Sequence, residues 1–443
     1  MRMTLLRDVT IVTMNDRDEI LTGDVMFDKD IIVSVGSRIT SYDPETTAVI
    51  EAKGKLLLPG FVQTHIHLCQ TLFRGQADDM ALMDWLRKRI WPLEAAHDEE
   101  SVYYSALLGI GELLRSGTTT ILDMETVSHT DFAFQALAAS GIRAISGKVM
   151  MDDGGDVPAG LQEDTDRSLA ESTALLEKWH GHDGGRLQYA YSPRFVVSCS
   201  ERLLTEVRDL SAKHQVLVHT HAAENLEEIE LVMRQRSMRN IVYLDHLGLT
   251  SRRLVLAHCI WLDDEEREIL RRTGTRMTHC PGSNLKLASG IAPVPDLLEQ
   301  GIHIGIGADG APCNNTLDMF QEMRLTALLH KVRCGPEAMN ARTVLRMATI
   351  GGARTLGLDH LIGSIEPGKK ADLVLLDLDD FHTFPSYEAD PYSRVVYAAS
   401  RGNVQDVWID GKLVVENGRV KTVDRGIVLR EADRSIARLL KRI

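Results

Sequence analysis

A chain of 443 residues exceeds one ordinary domain and has room for an α/β barrel of ~250 residues plus a smaller module. Its 44% hydrophobic and 26% charged residues suffice to bury a sizeable core, which argues against a largely disordered chain. A net charge of −13 would repel nucleic acid and anionic membrane surfaces, and so points to a small-molecule partner.

Residues 1–57 read as short strands with turn signals, at 5–13, 24–28 and 31–35. The opening 13 residues alternate in polarity and lack the basic start, long apolar core and cleavage site of a signal peptide. No run of 18 apolar residues occurs, so a membrane span is not expected. The six cysteines carry no CxxC pair or framework spacing, which fits reduced thiols and a cytoplasmic protein.

From 58 to 358, apolar β-rich runs alternate with amphipathic helical stretches, the rhythm of a parallel sheet covered by helices. The expected strands are 57–62, 118–123, 143–150, 187–191, 216–221, 254–258, 276–279 and 302–308. Helices are expected at 101–115, 202–214, 226–236, 263–273 and 317–330. This pattern predicts a (β/α)₈ TIM-like barrel. Strands return in 359–425, at 372–376, at 406–409 and in a hairpin over 408–415, before a C-terminal helix in 426–443. Neither terminal set can bury a face alone, so the two are expected to form one composite β-sandwich.

Chemistry-bearing residues gather where these strands end. His65 and His67 alternate on the first strand, so both imidazoles face the same side. Taken alone, such a pair equally suits two surface histidines. His221 ends the fifth strand, His258 the sixth, and Asp309 follows the eighth. Barrel enzymes collect catalytic groups at the C-terminal ends of strands. Three imidazoles and a carboxylate suit a divalent ion such as zinc or iron, with one position left for water. Glu224, three residues after His221, is placed to carry protons; taken alone it also suits the N-terminal charge of a helix. His219 is expected as a core residue or as a support behind the site.

In their surroundings these residues resemble the amidohydrolase superfamily, in its branch of cytosine, guanine, S-adenosylhomocysteine and chlorotriazine hydrolases. The resemblance runs through LPGFVQTHIHLCQTLFRG (58–75), SGTTTILDM (116–124), HTHAAEN (219–225), LAHCIWL (256–262), HCPGSNLKLASGIAPV (279–294), GADGAPCNN (307–315) and GSIEPGKKADLVLLD (363–377). It implies that His65, His67, His221 and Asp309 hold one divalent metal, zinc or else iron. Glu224 is then the proton shuttle, and His258 and Asp309 act on the attacking water. Members with two metals carry a modified lysine at the end of the fourth strand, where 189–193 here has none. Lys148 on the third strand is read as structural.

The resemblance further implies substrate contacts from Gln70, Trp85, Arg194 and Asn315. The segments 283–290 and 308–315, together with 70–98, resemble deaminases of 5′-modified adenosines: 5′-deoxyadenosine, methylthioadenosine and S-adenosylhomocysteine. The segments 147–152 and 193–200 resemble guanine deaminase, with Gln70 and Arg194 as the purine contacts. Ser192 stands where the adenosine type often has histidine. A 5′-modified adenosine is the expected substrate, with guanine deamination, a chlorotriazine-type hydrolase and a non-catalytic barrel scaffold as alternatives. A homo-oligomer is expected.

Overall fold

Gly60 is the crossing point between the two sheets of the computed structural model, which describes residues 3–155 and 157–443. Before it, Leu56–Pro59 pairs with Leu373–Leu376 in a sheet built by the chain ends. After it, Phe61–His67 enters the barrel. A Cβ on Gly60 would fall 2.1 Å from the Thr119 hydroxyl, so only glycine fits. The single strand expected at 57–62 is therefore two strands in two sheets. An apolar run buried on every side has the same signature in either, which is why sequence pattern alone merges them.

Eight parallel strands close the barrel. In hydrogen-bonded order they are Phe61–His67, Thr118–Met124, Arg143–Gly147, Leu187–Pro193, Leu217–Ala222, Leu254–His258, Arg276–His279 and Ile304–Ile306, the last pairing back to the first. Asp309–Gly310 extends this closure, with Asp309 opposite Ile66 and Gly310 opposite His67. The expected strand 143–150 breaks at Lys148 into Arg143–Gly147 and Val149–Met150, and the Lys148 side chain is buried in an ion pair with Glu163.

Helices return the chain between strands, and side-chain caps define their starts. Asp98 caps Glu99–Arg115, Ser200 caps Glu201–His214 and Asp263 caps Asp264–Thr273, each accepting a backbone N–H of the first turn. The last large barrel helix, Met319–Cys334, starts later than the expected 317–330 because Asp318 caps it, and it runs on to a C-cap at Gly335.

The chain ends share one nine-stranded hydrogen-bonded sheet. From the N-terminal side come Met3–Val12, Ile20–Asp28, Ile31–Gly36, Thr47–Glu51 and Leu56–Pro59. From the C-terminal side come Leu373–Leu376, Val404–Ile409, Lys412–Glu416 and Arg419–Val420. Thr47–Glu51 escapes the sequence pattern because only Thr47 of its five residues is buried. Leu56–Pro59 straddles the boundary expected at 57/58 and joins both terminal sets through one ladder. Arg143, on a barrel strand, ties the sheet down with a buried bidentate pair to Asp372 at 2.7 and 3.0 Å.

The C-terminal helix, Arg425–Leu439, packs on Glu99–Arg115. Arg438 and Arg442 reach Asp98, the N-cap of that partner helix. No helix among the described residues is long and apolar enough to cross a membrane.

Candidate metal centre and substrate cavity

His65, His67, His221 and Asp309 meet at the C-terminal mouth of the barrel, with their ligand atoms all within 4.8 Å of one another and all four residues buried. The alternation of the first strand brings His65 and His67 inward together, as the spacing predicts. Their orientation comes from the nitrogens that face away from the centre. Nδ1 of His67 lies 2.7 Å from the Met124 carbonyl, and Nδ1 of His221 lies 2.7 Å from the Arg194 carbonyl. A carbonyl only accepts, so both Nδ1 atoms carry the proton and both Nε2 atoms present lone pairs.

His65 reaches the same state through a relay. Nδ1 of His219 donates to the Val255 carbonyl at 2.9 Å, which leaves Nε2 of His219 to accept from Nδ1 of His65 at 2.7 Å. Nε2 of His65 is buried without a hydrogen-bond partner. Burial and the neighbouring imidazoles lower the pKa of His67 to about 3 and hold His219 and His221 well below the usual range, so these rings are neutral. Nε2 of His67 and Nε2 of His221 are 3.3 Å apart, two lone pairs face to face. A cation among them relieves that repulsion, and three neutral imidazoles with a carboxylate are a donor set for a divalent transition metal.

The Asp309 carboxylate lies 3.2 Å from Nε2 of His65 and 3.3 Å from Nε2 of His67. Ser283 donates to its other oxygen at 2.6 Å. Burial works against its charge, yet the surrounding imidazoles hold its pKa well below the ordinary carboxylate value. His258 stands on the opposite side of Asp309, at 3.9 Å, and 3.5 Å from Glu224. Nδ1 of His258 donates to the Asn284 side chain at 2.9 Å, directing Nε2 into the cavity. Burial would depress His258, but Glu224 and Asp309 outweigh it and its pKa is raised. Burial pushes Glu224 up to about 7, with His258 pulling the other way. A carboxyl titrating near neutrality can both give and take a proton.

Three residues here adopt left-handed backbone: Ala223 (φ 53°), His258 (φ 72°) and Asp309 (φ 63°). Non-glycine residues occupy that region at a cost, and each of these turns a reactive group into the cavity or precedes one that does so.

Gln70, Trp85, Arg194, Glu224 and His258 all line the cavity above the metal-ligand cluster. Asn315 does not: it caps the short helix Ala311–Asn314, and its side chain accepts from Lys286 instead. Sequence reasoning missed Glu94. This residue forms a bidentate pair with Arg194 at 2.5 and 3.2 Å and accepts from Gln70 at 2.8 Å, all three groups being buried. Oε1 of Gln70 is buried without a partner, a carbonyl free to accept from a ligand. Glu228 was missed as well; it lines the cavity and accepts the Glu224 backbone N–H at 2.9 Å. No local motif marks Glu94, whose partners are brought by other elements, whereas Glu228 sits four residues after Glu224, a spacing that could have pointed to it.

Leu82, Trp85 and Leu86, on the short helical turns of 82–90, close the cavity to about 30 Å³, room for one or two waters.

The sequence profile of the amidohydrolase family matches residues 56–414. A 5′-deoxyadenosine deaminase of Methanobrevibacter smithii is 40% identical over 98% of this chain and 98% of its own length. A 5-methylthioadenosine/S-adenosylhomocysteine deaminase of Syntrophomonas wolfei is 37% identical over 98% of this chain and 99% of its own. Among solved structures, an adenosine deaminase of Xanthomonas campestris with bound zinc superposes with a TM-score of 0.89 at 33% identity, covering 99% of this chain and 98% of its own.

Proposed function

The chain belongs to the amidohydrolase family, and on that premise we propose that it is a metal-dependent deaminase that hydrolyses the amino group from a 5′-modified adenosine. The favoured substrates are 5′-deoxyadenosine, methylthioadenosine and S-adenosylhomocysteine. The observation that carries the reaction class is the convergence of three imidazole lone pairs and Asp309 beside Glu224 and His258 in one cavity. The names of the full-length relatives support the substrate class.

His65, His67, His221 and Asp309 would hold one metal ion, zinc before iron, which would supply Lewis acidity at the cavity floor. Asp309 takes a proton from the attacking water, and His258 orients that water towards the amino-bearing carbon. Glu224 protonates the ring nitrogen beside that carbon. It then takes the proton of the added hydroxyl and passes it to the amino group, so that ammonia leaves, and the proton held by Asp309 restores Glu224; water and the amino-purine become the oxo-purine and ammonia. Gln70, Trp85 and Arg194 contact the ring or its substituent. The reaction runs in the cytoplasm in a homo-oligomer with no role for nucleic acid, and the barrel of 58–358 carries it while the terminal module supports the barrel.

Guanine deamination is the second reading, favoured by Gln70 and Arg194 lying on one wall of the same cavity. Ammonia release from 5′-deoxyadenosine, methylthioadenosine, S-adenosylhomocysteine, adenosine, guanine and cytosine tests both. The highest kcat/KM is expected on a 5′-modified adenosine, with about one equivalent of metal bound. A preference for guanine selects the second reading, and a metal-loaded protein inert on every purine overturns both.

A further inference from the structure

A groove far larger than the catalytic cavity, about 710 Å³, runs between the helix Glu99–Arg115, the helix Arg425–Leu439 and the turn after Lys412–Glu416. Five arginines line it: Arg74, Arg115, Arg401, Arg419 and Arg425. Among the described residues, Glu112 is the one acidic residue in the lining, and it is already engaged by Arg74 and by Arg401 at 3.5 Å. Among the described residues, Arg115, Arg419 and Arg425 have no carboxylate within ion-pair distance. So much uncompensated positive charge is out of character for a chain of net charge −13.

The fold does not account for these cations. Arg115 ends its helix, where the dipole favours a positive charge. Arg425, by contrast, is the first residue of its helix, the end at which the dipole disfavours one. Arg419 lies in a two-residue edge strand opposite Glu416, whose carboxylate pairs with Lys421 at 2.9 Å and leaves the Arg419 guanidinium without an ion pair among the described residues. A second basic cavity, about 370 Å³ at the opposite mouth of the barrel, is different: its Arg276 donates to the Thr355 carbonyl at 3.2 Å and its Arg354 pairs with Asp16 at 2.8 Å. There these contacts, with Asp359 in the lining, answer much of the charge, although among the described residues Arg252 has no carboxylate at ion-pair distance.

Between the arginines, the groove wall is aliphatic and includes Leu108, Val420, Val428 and Leu429, of which Leu429 is 40% exposed. No aromatic side chain is in the lining, and Gly111 leaves open space where a side chain would stand. Guanidinium groups recognise phosphate through paired hydrogen bonds, and a volume of this size accommodates a small organic molecule.

From this charge complementarity we propose that the groove is a binding site for an organic phosphate with an aliphatic body, separate from the catalytic cavity. Its phosphate would sit among Arg115, Arg419 and Arg425 and its chain on Leu108 and Leu429.

Octyl phosphate is the probe, titrated calorimetrically into the metal-loaded, full-length enzyme, with octanol and inorganic phosphate as controls. Saturable binding near one equivalent is expected, at least about tenfold tighter than either control, because head and chain each contribute. The variant R115A/R419A/R425A alters exposed side chains outside the catalytic cavity. It should keep wild-type turnover while losing at least about tenfold in affinity for octyl phosphate, roughly one charge-assisted hydrogen bond. Equal affinity in wild type and variant overturns the site. Inorganic phosphate binding as tightly as octyl phosphate also overturns it, leaving only a general anion-attracting patch. If light scattering finds the wild type oligomeric and the variant monomeric, the groove is a contact between copies of the chain and the proposal fails.

Discussion

Nε2 of His219 lies 2.7 Å from Nδ1 of His65, a pairing across 154 residues of sequence that decides which nitrogen of His65 faces the centre. Both residues are fully buried, and His219 is held in its acceptor form by the Val255 carbonyl. His219 is thus a positioning residue. Replacing it with leucine preserves apolar packing but lets the His65 ring turn or change tautomer. Metal affinity should fall ~10–100-fold while far-UV circular dichroism stays unchanged, as is common when a ligand loses its supporting hydrogen bond. Unaltered affinity in a chelator competition would remove His219 from the metal site.

Glu224→Gln keeps the shape of the side chain but cannot exchange a proton. Turnover should drop ~10²-fold or more with metal content held near one equivalent, since general acid–base catalysis contributes on that scale. If the residue only serves the following helix, the substitution should instead cost at most ~1 kcal/mol of stability and leave turnover nearly intact. Metal analysis, melting temperature and turnover on one preparation separate these outcomes.

Glu94 and Arg194 are 3% and 4% exposed, so removing one partner strands a charge in the interior. Glu94→Ala should destabilise the protein by ~3–5 kcal/mol in chemical denaturation. The double variant Glu94→Leu/Arg194→Met should regain most of that loss, because the stranded charge is gone. A single variant within ~0.5 kcal/mol of wild type would show that water reaches Arg194 and that the cavity wall is open.

The C-terminal helix should loosen in a pH-dependent way. Burial works against the charge of Asp98, but Arg438, Ser101 and Arg442 outweigh it and depress its pKa below 3.8. A depressed carboxyl contributes stability that is present above its unfolded pKa of ~3.9 and lost as pH falls through the lower folded value. The variant R438A/R442A should therefore melt below wild type at pH 7, and the gap should narrow steadily as pH is taken below ~4. A gap that stays constant through this range would assign the effect to packing.

Much of this protein follows from local sequence pattern. A strand repeats every two residues, so His65 and His67 had to share a side, and the C-terminal ends of successive apolar runs had to meet once those runs closed a barrel. His221, His258 and Asp309 were legible for that reason, and the βα rhythm carried the fold. His219 was legible as a support because it shares the strand side of His221 one pleat further in.

What the tertiary structure alone decided depends on contacts between distant segments. Glu94 meets Arg194 across 100 residues, and nothing in either neighbourhood announces the pair. The protonated nitrogen of each imidazole is chosen by Met124, Arg194 and Val255 carbonyls, groups that every residue type possesses. Left-handed backbone at His258 and Asp309 runs against local preference and is not written in the sequence pattern. Asn315, one residue beyond a helix that turns it outwards, reaches Lys286 instead of the cavity, and Gly60 divides an apolar run between two sheets. In each case a nearest-neighbour pattern fits more than one outcome, and the choice among them comes from packing and hydrogen bonds formed only when the whole chain has closed.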